Sequence, residues 1–439
     1  MSNQRAAIVA IVGRANVGKS SLFNAVLGRR EAIVADEPGT TRDSLMEKAS
    51  YDGKDFWLVD TAGLKRADDD FELSIQDQIT EAAASADFII VVVEADVPVT
   101  EEDRRVAKMA LKSSKPLLLV VNKLDKNRRV NLDEYRRLGV QNIVTTSVTQ
   151  KIGLEEMLEA VTELLPKTRI KIEDDRLRVG LLGRPNVGKS SLFNALAKKQ
   201  QAIVADRAGT TRDVNRTSIR FEGREIEFMD TAGIRRPGRI ERGVEHFSVL
   251  RSLAVIEQVD VCLLLMDANE LNVQLDQKIA GMIKEAGKGL VLVVSKWDSL
   301  EEKDAYSRDM LAPQVAANFE FVPWAPLIFT SAVTGQNVTK LFELVTQIDA
   351  ARKQRFSTPE LNSWLQEVVR DHPPAGLKNR SPKLNYMVQE DDIDMPSFKV
   401  FGAHTKFLHW SYKRYMDRRF RERWPLEGTP LKFWYIEKH

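Results

Sequence analysis

Short apolar runs alternate with mixed, helix-like segments along the first 350 residues. They read "AAIVAIV", "FWLVD", "FIIVVV" and "PLLLVV" in the first half, and "RVGLL", "IEFMD", "VCLLLMD" and "GLVLVV" in the second. Runs this short, apolar at nearly every position, read as strands buried on both faces of a parallel sheet. Their alternation with helical segments predicts repeated βαβ units, an α/β fold with a mostly parallel sheet and helices on both faces. The pattern changes near the C-terminus. In "SYKRYMDRRFRER", residues 411 to 423, Tyr412, Tyr415, Met416 and Phe420 recur at helical spacing with six cations between them. That predicts a helix with one packing face and one basic face. With the strand-like "KLNYMV" and "SFKVFG" it makes a small α/β unit.

The pattern is also duplicated. Residues 13 to 43 recur at 183 to 213 with 22 of 31 positions identical, and the offset of 170 still holds at "DTAG", residues 60 to 63 and 230 to 233. A period of that size means two copies of a domain, since solenoid repeats are far shorter. The predicted organisation is a first domain over 1–166, a charged linker over 167–176, a second domain over 177–350 and a third over 351–439. A chain of 439 residues has room for three cores.

Composition adds little except in one place. At 43% hydrophobic and 29% charged residues the chain is an ordinary globular protein. It has no apolar run long enough to span a bilayer, and its N-terminus lacks a signal-peptide pattern, so a cytoplasmic location is expected. The net charge of +2 argues for no particular partner, but residues 351 to 439 hold 17 Lys/Arg against 11 Asp/Glu. That surplus of six is concentrated where the basic helix is predicted, and RNA fits it. The one cysteine, Cys262, lies in an apolar run and is expected to be a buried thiol.

Each repeat carries G-x-x-x-x-G-K-S between a strand and a helix: Gly13, Arg14, Ala15, Asn16, Val17, Gly18, Lys19 and Ser20, and Gly183, Arg184, Pro185, Asn186, Val187, Gly188, Lys189 and Ser190. Glycines let the backbone N–H groups converge on phosphate at a helix N-terminus; the lysine neutralises the β/γ-phosphates and the serine ligates Mg²⁺. "DTAG" contributes Asp60, Thr61, Ala62 and Gly63, followed by Leu64, and Asp230, Thr231, Ala232 and Gly233, followed by Ile234. Asp60 and Asp230, at strand ends, are placed to hold the metal through its water shell. Gly63 and Gly233 are placed to bring an N–H to the γ-phosphate. In "GTTRD", Thr41 and Thr211 are the candidate Mg²⁺ ligands that arrive with the γ-phosphate, with Thr40 and Thr210 as near rivals.

The base is chosen by "NKLD", Asn122, Lys123, Leu124 and Asp125. A carboxylate at Asp125 accepts from the ring N–H and amine of guanine, which adenine does not present. In the second repeat the tetrad reads Ser295, Lys296, Trp297 and Asp298. Asp298 keeps the guanine preference, while the short Ser295 hydroxyl is expected to be unable to bridge base and phosphate loop as Asn122 does, weakening the site without abolishing it. Ser147 in "TTS" and Ser331 in "FTS" are candidates for the loop behind the base.

With both copies of GxxNVGKSSLFNA, TTRD, DTAG and a base tetrad in order, the chain resembles the EngA/Der family of bacterial double-domain GTPases. The resemblance extends to "GIRRPGRIERGVEHFSVLRSL" at 233 to 253 and to "SYKRY" and "EGTP" in the tail. It implies two tandem P-loop GTPase domains, a C-terminal KH-like domain, Mg²⁺-dependent GTP hydrolysis, and association with the ribosome during assembly of the large subunit. It also implies an activating K⁺ at Asn16 and Asn186. Leu64 and Ile234 stand where Ras-like enzymes place a water-orienting glutamine, so hydrolysis is expected to be slow, and no catalytic base is assigned. "PPAGLKNR" has only Gly376 and no GXXG loop, which argues against a conventional KH groove. A monomer is expected. The rival readings are a second domain that senses nucleotide without turning it over, and an RNA-modification partner, against which the duplicated unit counts.

Overall fold

The structure is a computed structural model and describes residues 5–28, 46–61, 75–127, 130–165, 176–199, 216–230, 249–271, 273–300, 306–374, 376–377, 380–391 and 394–437. The described parts of Ser2–Lys171 and Ile240–Glu257 form one compact unit, and those of Ile172–Arg239 and Gln258–His439 form another.

The first unit is built on a six-stranded sheet of β1 (Ala7–Val12), β2 (Met46–Tyr51), β3 (Lys54–Asp60), β4 (Phe88–Glu94), β5 (Leu117–Asn122) and β6 (Ile143–Thr145), in the order β2-β3-β1-β4-β5-β6. All pairs are parallel except β2 with β3. Every residue of β1, β4 and β5 is buried, which is why their sequences are continuously apolar. The connecting helices are α1 (Lys19–Leu27), α2 (Ile75–Ser85), α3 (Glu101–Lys112), the short α4 (Leu132–Arg136) and α5 (Leu154–Leu164). One core cluster joins Val9, Ile11, Phe23, Phe56, Phe88, Val120 and Leu158.

The second unit repeats that sheet with β7 (Leu177–Leu182), β8 (Arg216–Phe221), β9 (Arg224–Asp230), β10 (Val261–Asp267), β11 (Gly289–Ser295) and β12 (Leu327–Phe329), in the same connectivity. Helices α6 (Lys189–Lys199), α8 (Gln274–Glu285), α9 (Ser307–Asn318) and α10 (Val338–Arg352) belong to this repeat. Cys262 is fully buried on β10, as its setting predicted. The helix between β9 and β10, α7 (Val249–Ile256), groups with the first unit instead. It packs against α2, Arg251 faces Glu81 at 3.5 Å, and Glu257 just beyond it accepts from the Trp57 indole at 2.6 Å and the Ala6 amide at 3.0 Å.

The C-terminal part is a three-stranded sheet, β13 (Lys383–Gln389), β14 (Ser397–Ala403) and β15 (Lys432–Glu437), with α11 (Thr358–Asp371) and α12 (Trp410–Arg423). It has its own aromatic core of Phe356, Trp364, Phe398, Tyr412 and Phe420. It joins the second GTPase-like sheet through backbone: the Leu290 N–H donates to the Gly428 carbonyl at 2.9 Å, and the Gly428 N–H donates to the Trp324 carbonyl at 2.7 Å. Gly428 holds φ +68°, and a Cβ there would lie 2.3 Å from Ile348, so glycine is required.

Candidate functional site

Both phosphate loops leave the C-terminal end of a central strand, β1 or β7, where the sheet's connections diverge to either side; ligands of open α/β sheets bind at such a point. Gly18 caps α1 at φ +97° with no side-chain cap, so the first N–H groups of the helix stay available to an anion. Gly13 is required by proximity, because a Cβ there would sit 2.5 Å from the Val92 carbonyl. Asn16 and Asn186 adopt left-handed backbone at φ 65° and 61° and are exposed. Arg14, Ala15 and Val17, like Arg184, Pro185 and Val187, fill the turn between these points.

Lys19 and Lys189 are buried, and each folds back over its loop. The Lys19 ammonium donates to the carbonyls of Gly13 and Arg14 at 2.8 and 2.7 Å, and Lys189 to those of Gly183 and Arg184 at 2.9 and 2.7 Å. Both lysines are thus held against the loop carbonyls at the mouth of the motif. The Ser20 hydroxyl donates to the Asp60 carboxylate, bringing together two hard oxygen donors of the kind Mg²⁺ takes. The Thr61 hydroxyl is anchored on the Ile11 carbonyl at 2.7 Å. Asp230 ends β9, while Ser190 opens α6 as Ser20 does α1. Thr40, Thr41, Thr210, Thr211, Ala62, Gly63, Leu64, Thr231, Ala232, Gly233 and Ile234 lie outside the described residues, as do the Asp230 side chain and residues 167–175 of the expected linker.

The base loops are held in matching ways. The Asn122 amide donates to the Val17 carbonyl at 2.9 Å, and its oxygen accepts from Thr146 at 3.0 Å. The Ser147 hydroxyl donates to Asp125 at 2.5 Å, which holds that carboxyl below the usual range and keeps it an acceptor. The Ser331 hydroxyl likewise donates to Asp298 at 2.5 Å. Both candidate serines therefore bond the tetrad carboxylates, a link that their spacing in the sequence did not show. Lys123 and Lys296 both take left-handed backbone, at φ 65° and 55°. Leu124 is fixed by its N–H on Thr146, and Trp297 by its N–H on Thr330. The Trp297 ring is buried against Phe329, centroids 4.7 Å apart, so it supports the loop from the core.

Ser295 makes one of the two contacts for which Asn122 is placed. Its hydroxyl lies 2.5 Å from the Val187 carbonyl and 2.9 Å from that of Met266. It therefore keeps the tie to the phosphate loop that Asn122 makes, and what it lacks is the amide extending beyond that tie.

Charged partners around the loops escaped the motif reading. Arg14 pairs with Glu94 at 2.8 Å and faces Asp103 at 3.4 Å; Arg184 pairs with Glu270 at 2.7 Å and Asp276 at 3.2 Å. Burial pushes the Asp276 carboxyl up to about 6 against the pull of Arg184. A lone acid at the end of an apolar strand or in the first turn of a helix gives no spacing to recognise.

Two phosphate loops, each with a guanine-type base loop on the same sheet connectivity, define the class: a tandem P-loop GTPase. Comparison with known sequences agrees. A family model described as "50S ribosome-binding GTPase" matches residues 8–123 and again 178–296, and one described as "KH-domain-like of EngA bacterial GTPase enzymes, C-terminal" matches 355–435. The chain is 44% identical to GTPase Der of Chloroflexus aggregans over 97% of this chain and 96% of that one. It is 40% identical to GTPase Der of Gemmatimonas aurantiaca over 97% of each, and 39% identical to GTPase Der of Thermomicrobium roseum over 98% and 96%. The chain belongs to the EngA/Der family of double-domain GTPases, and it binds GTP and hydrolyses it to GDP.

Proposed function

We propose that this GTPase is a switch that associates with the ribosome and assists assembly of the large ribosomal subunit. The observation that carries the reading is the joining of two guanine-type sites to a basic C-terminal domain. On α12, Tyr412, Met416 and Phe420 are buried while Lys413, Arg414, Arg418 and Arg423 are exposed. The family description as ribosome-binding supports it. Phosphate contacts from this helix suit rRNA better than a conventional KH groove, which would need a GXXG loop.

In this reading the domains run over 1–166, 177–350 and 351–439, with the linker between the first two. Lys19 and Lys189 exchange their loop carbonyls for β/γ-phosphate oxygens when nucleotide enters. Asp125 and Asp298 accept from the guanine edge, positioned by Ser147 and Ser331. Ser20, Thr41 and Asp60, and Ser190, Thr211 and Asp230, are the residues that would hold Mg²⁺, which would supply positive charge against the β/γ-phosphates. Asn16 and Asn186, exposed in left-handed turns of the two loops, carry amide oxygens of the type that would hold a K⁺, and such a cation would supply positive charge beside the phosphates. Gly63 and Gly233 sense the γ-phosphate through their N–H groups. Water attacks the γ-phosphorus and the bond to the β-phosphate oxygen breaks, with no side chain assigned as base. No described helix is long and apolar enough to cross a membrane, and the cytoplasm is where a monomeric factor of this kind meets ribosomal subunits.

Sedimentation of ribosomal subunits with the protein loaded with GTP, a non-hydrolysable analogue or GDP tests the proposal. Nucleotide-dependent recovery with the large subunit is expected, and no association in any state defeats it. Turnover in K⁺ against Na⁺ tests the cation: equal rates would remove it from the mechanism.

A further inference from the structure

Glu94 and its counterpart occupy the same place in the two sheets, because Glu94 is paired with Asn122 at the end of β4 and β5, and Asp267 with Ser295 at the end of β10 and β11. They are wired differently. Glu94, 8% exposed, takes the Arg14 guanidinium on one oxygen at 2.8 Å and the Lys123 ammonium on the other. Lys123 in turn donates to the Asn16 carbonyl at 2.7 Å. One buried carboxylate therefore joins Arg14 of the phosphate loop to the lysine of the base loop, which reaches Asn16 directly. Lys126 lies 4.0 Å from the same carboxylate but pairs more closely with Asp96 at 3.3 Å. The Tyr135 hydroxyl fixes the strand end by donating to the Glu94 carbonyl at 2.9 Å. Elsewhere Arg14 is held by the ion pair of its Nε with Asp103 at 3.4 Å, in which neither atom makes a hydrogen bond.

In the second domain the side chain is one methylene shorter. Asp267 takes Lys296 at 2.7 Å and the Asn269 backbone and amide at 2.9 Å each. Arg184 turns to Glu270 and Asp276. Asp276 is free to receive it because α8 is capped by Val273, which has no side-chain hydroxyl, whereas in α3 one oxygen of Asp103 is spent on the capping box with Thr100. No described carboxylate there is shared between the phosphate loop and the base loop.

We infer that Glu94 is a positioning residue that ties the phosphate loop to the guanine loop of the first site so that the two open together, and that the second site lacks this tie. The inference rests on the nucleotide-site reading given above. Each site keeps one direct loop-to-loop bond, Asn122 to Val17 in the first and Ser295 to Val187 in the second, and Glu94 adds a further tie to the first alone, so the first site retains GDP longer than the second. Breaking the tie speeds release and makes Arg14 and Lys123 energetically independent, since their coupling runs through the shared carboxylate.

The test is release of N-methylanthraniloyl-GDP from full-length protein carrying Lys189→Ala, which leaves the first site as the reporter. Glu94→Gln, which keeps the side chain's size and removes its charge, is expected to speed release about tenfold, or ~1.4 kcal/mol. Glu94→Asp, the milder variant that carries the test should Glu94→Gln not fold, is expected to speed it about threefold. A double-mutant cycle of Arg14→Ala and Lys123→Ala should be non-additive with Glu94 and additive with Glu94→Gln or Glu94→Asp, a readout that general destabilisation does not move. Release unchanged within experimental error in the Glu94 variants, or persistent coupling of Arg14 and Lys123 in them, overturns the tie. Absence of labelled GDP binding in the Lys189→Ala parent, or binding that survives a further Lys19→Ala, instead overturns the underlying site assignment and the tie with it.

Discussion

The Ser295 hydroxyl lies 2.5 Å from the Val187 carbonyl, the counterpart of the bond from the Asn122 amide to Val17 at 2.9 Å. A serine therefore holds the second phosphate loop as an asparagine holds the first. The two loops differ in what fills the space beside them. A Cβ on Gly18 would lie 2.3 Å from the Asn122 amide, whereas one on Gly188 would meet nothing closer than 3.8 Å. The second site has room for the missing amide.

Ser295→Asn is accordingly expected to fit without displacing the loop and to tighten GDP binding at the second site. One added hydrogen bond to the base edge is worth about 1 kcal/mol, a several-fold change in affinity. Titration of full-length Lys19→Ala protein with GDP, with and without the substitution, measures it. Unchanged or weaker affinity would mean that water already satisfies the base edge beside Ser295.

Much of this was legible from the chain. The eight apolar runs all appear as sheet strands, because a strand buried on both faces leaves a continuous apolar signature. The edge strands β2, "MEKASY", and β8, "RTSIRF", gave no such signal, since a half-covered edge tolerates polar residues. β15, "KFWYIE", is half-exposed along its length and was equally hidden. The loops that bind phosphate and base were readable because their chemistry needs fixed residues at fixed spacing. Glu94 and Glu257 were not, because each acts through partners 29 to 251 residues away in sequence.

The buried Glu257 carboxylate makes the packing of α7 a measurable quantity. It accepts from the Trp57 indole and the Ala6 amide in an interior where neither donor can turn to water. Glu257→Ala leaves both donors unmet, at a cost on the order of 3 kcal/mol, while Trp57→Phe removes one donor and should cost about 1 kcal/mol. Amide hydrogen exchange over residues 249 to 256 reads the effect locally. Faster exchange there in Glu257→Ala is expected, and unchanged protection would show that the apolar face of the helix alone sets its stability.

Asp276 gives the second nucleotide domain a pH dependence with a defined sign. Its folded pKa of about 6 lies above the ordinary 3.8, so the folded state holds the proton more tightly than the unfolded chain does. The stability it contributes is full below about pH 4 and is lost as pH rises through 6, by about 3 kcal/mol in all. Asp276→Asn has no such titration. The difference in unfolding free energy between variant and parent should therefore shift in the variant's favour between pH 4 and pH 7, and a difference that stays flat over that interval would show that Arg184 keeps the carboxylate ionised.

The cations of α12 divide into those bonded to other segments of the domain and those that stand exposed on its surface. Arg421 donates to the carbonyls of Leu426 and Thr429 at 3.2 and 3.0 Å, and Arg419 pairs with Asp371 at 3.1 Å. Arg414 lies over the exposed Trp410 ring at 4.8 Å, and Arg418 is 72% exposed and, among the described residues, pairs along the helix with Glu422 at 3.4 Å. Arg421→Gln is thus expected to lower the melting temperature of the C-terminal domain. Arg414→Glu with Arg418→Glu should lower that melting temperature less than Arg421→Gln does and weaken recovery with ribosomal subunits, most visibly at low salt, because phosphate contacts act through counterion release. Each lost contact should make the salt dependence of recovery shallower by about one unit in the log–log slope. Equal recovery by the double charge reversal across salt concentrations would remove this face of α12 from the ribosome-binding surface.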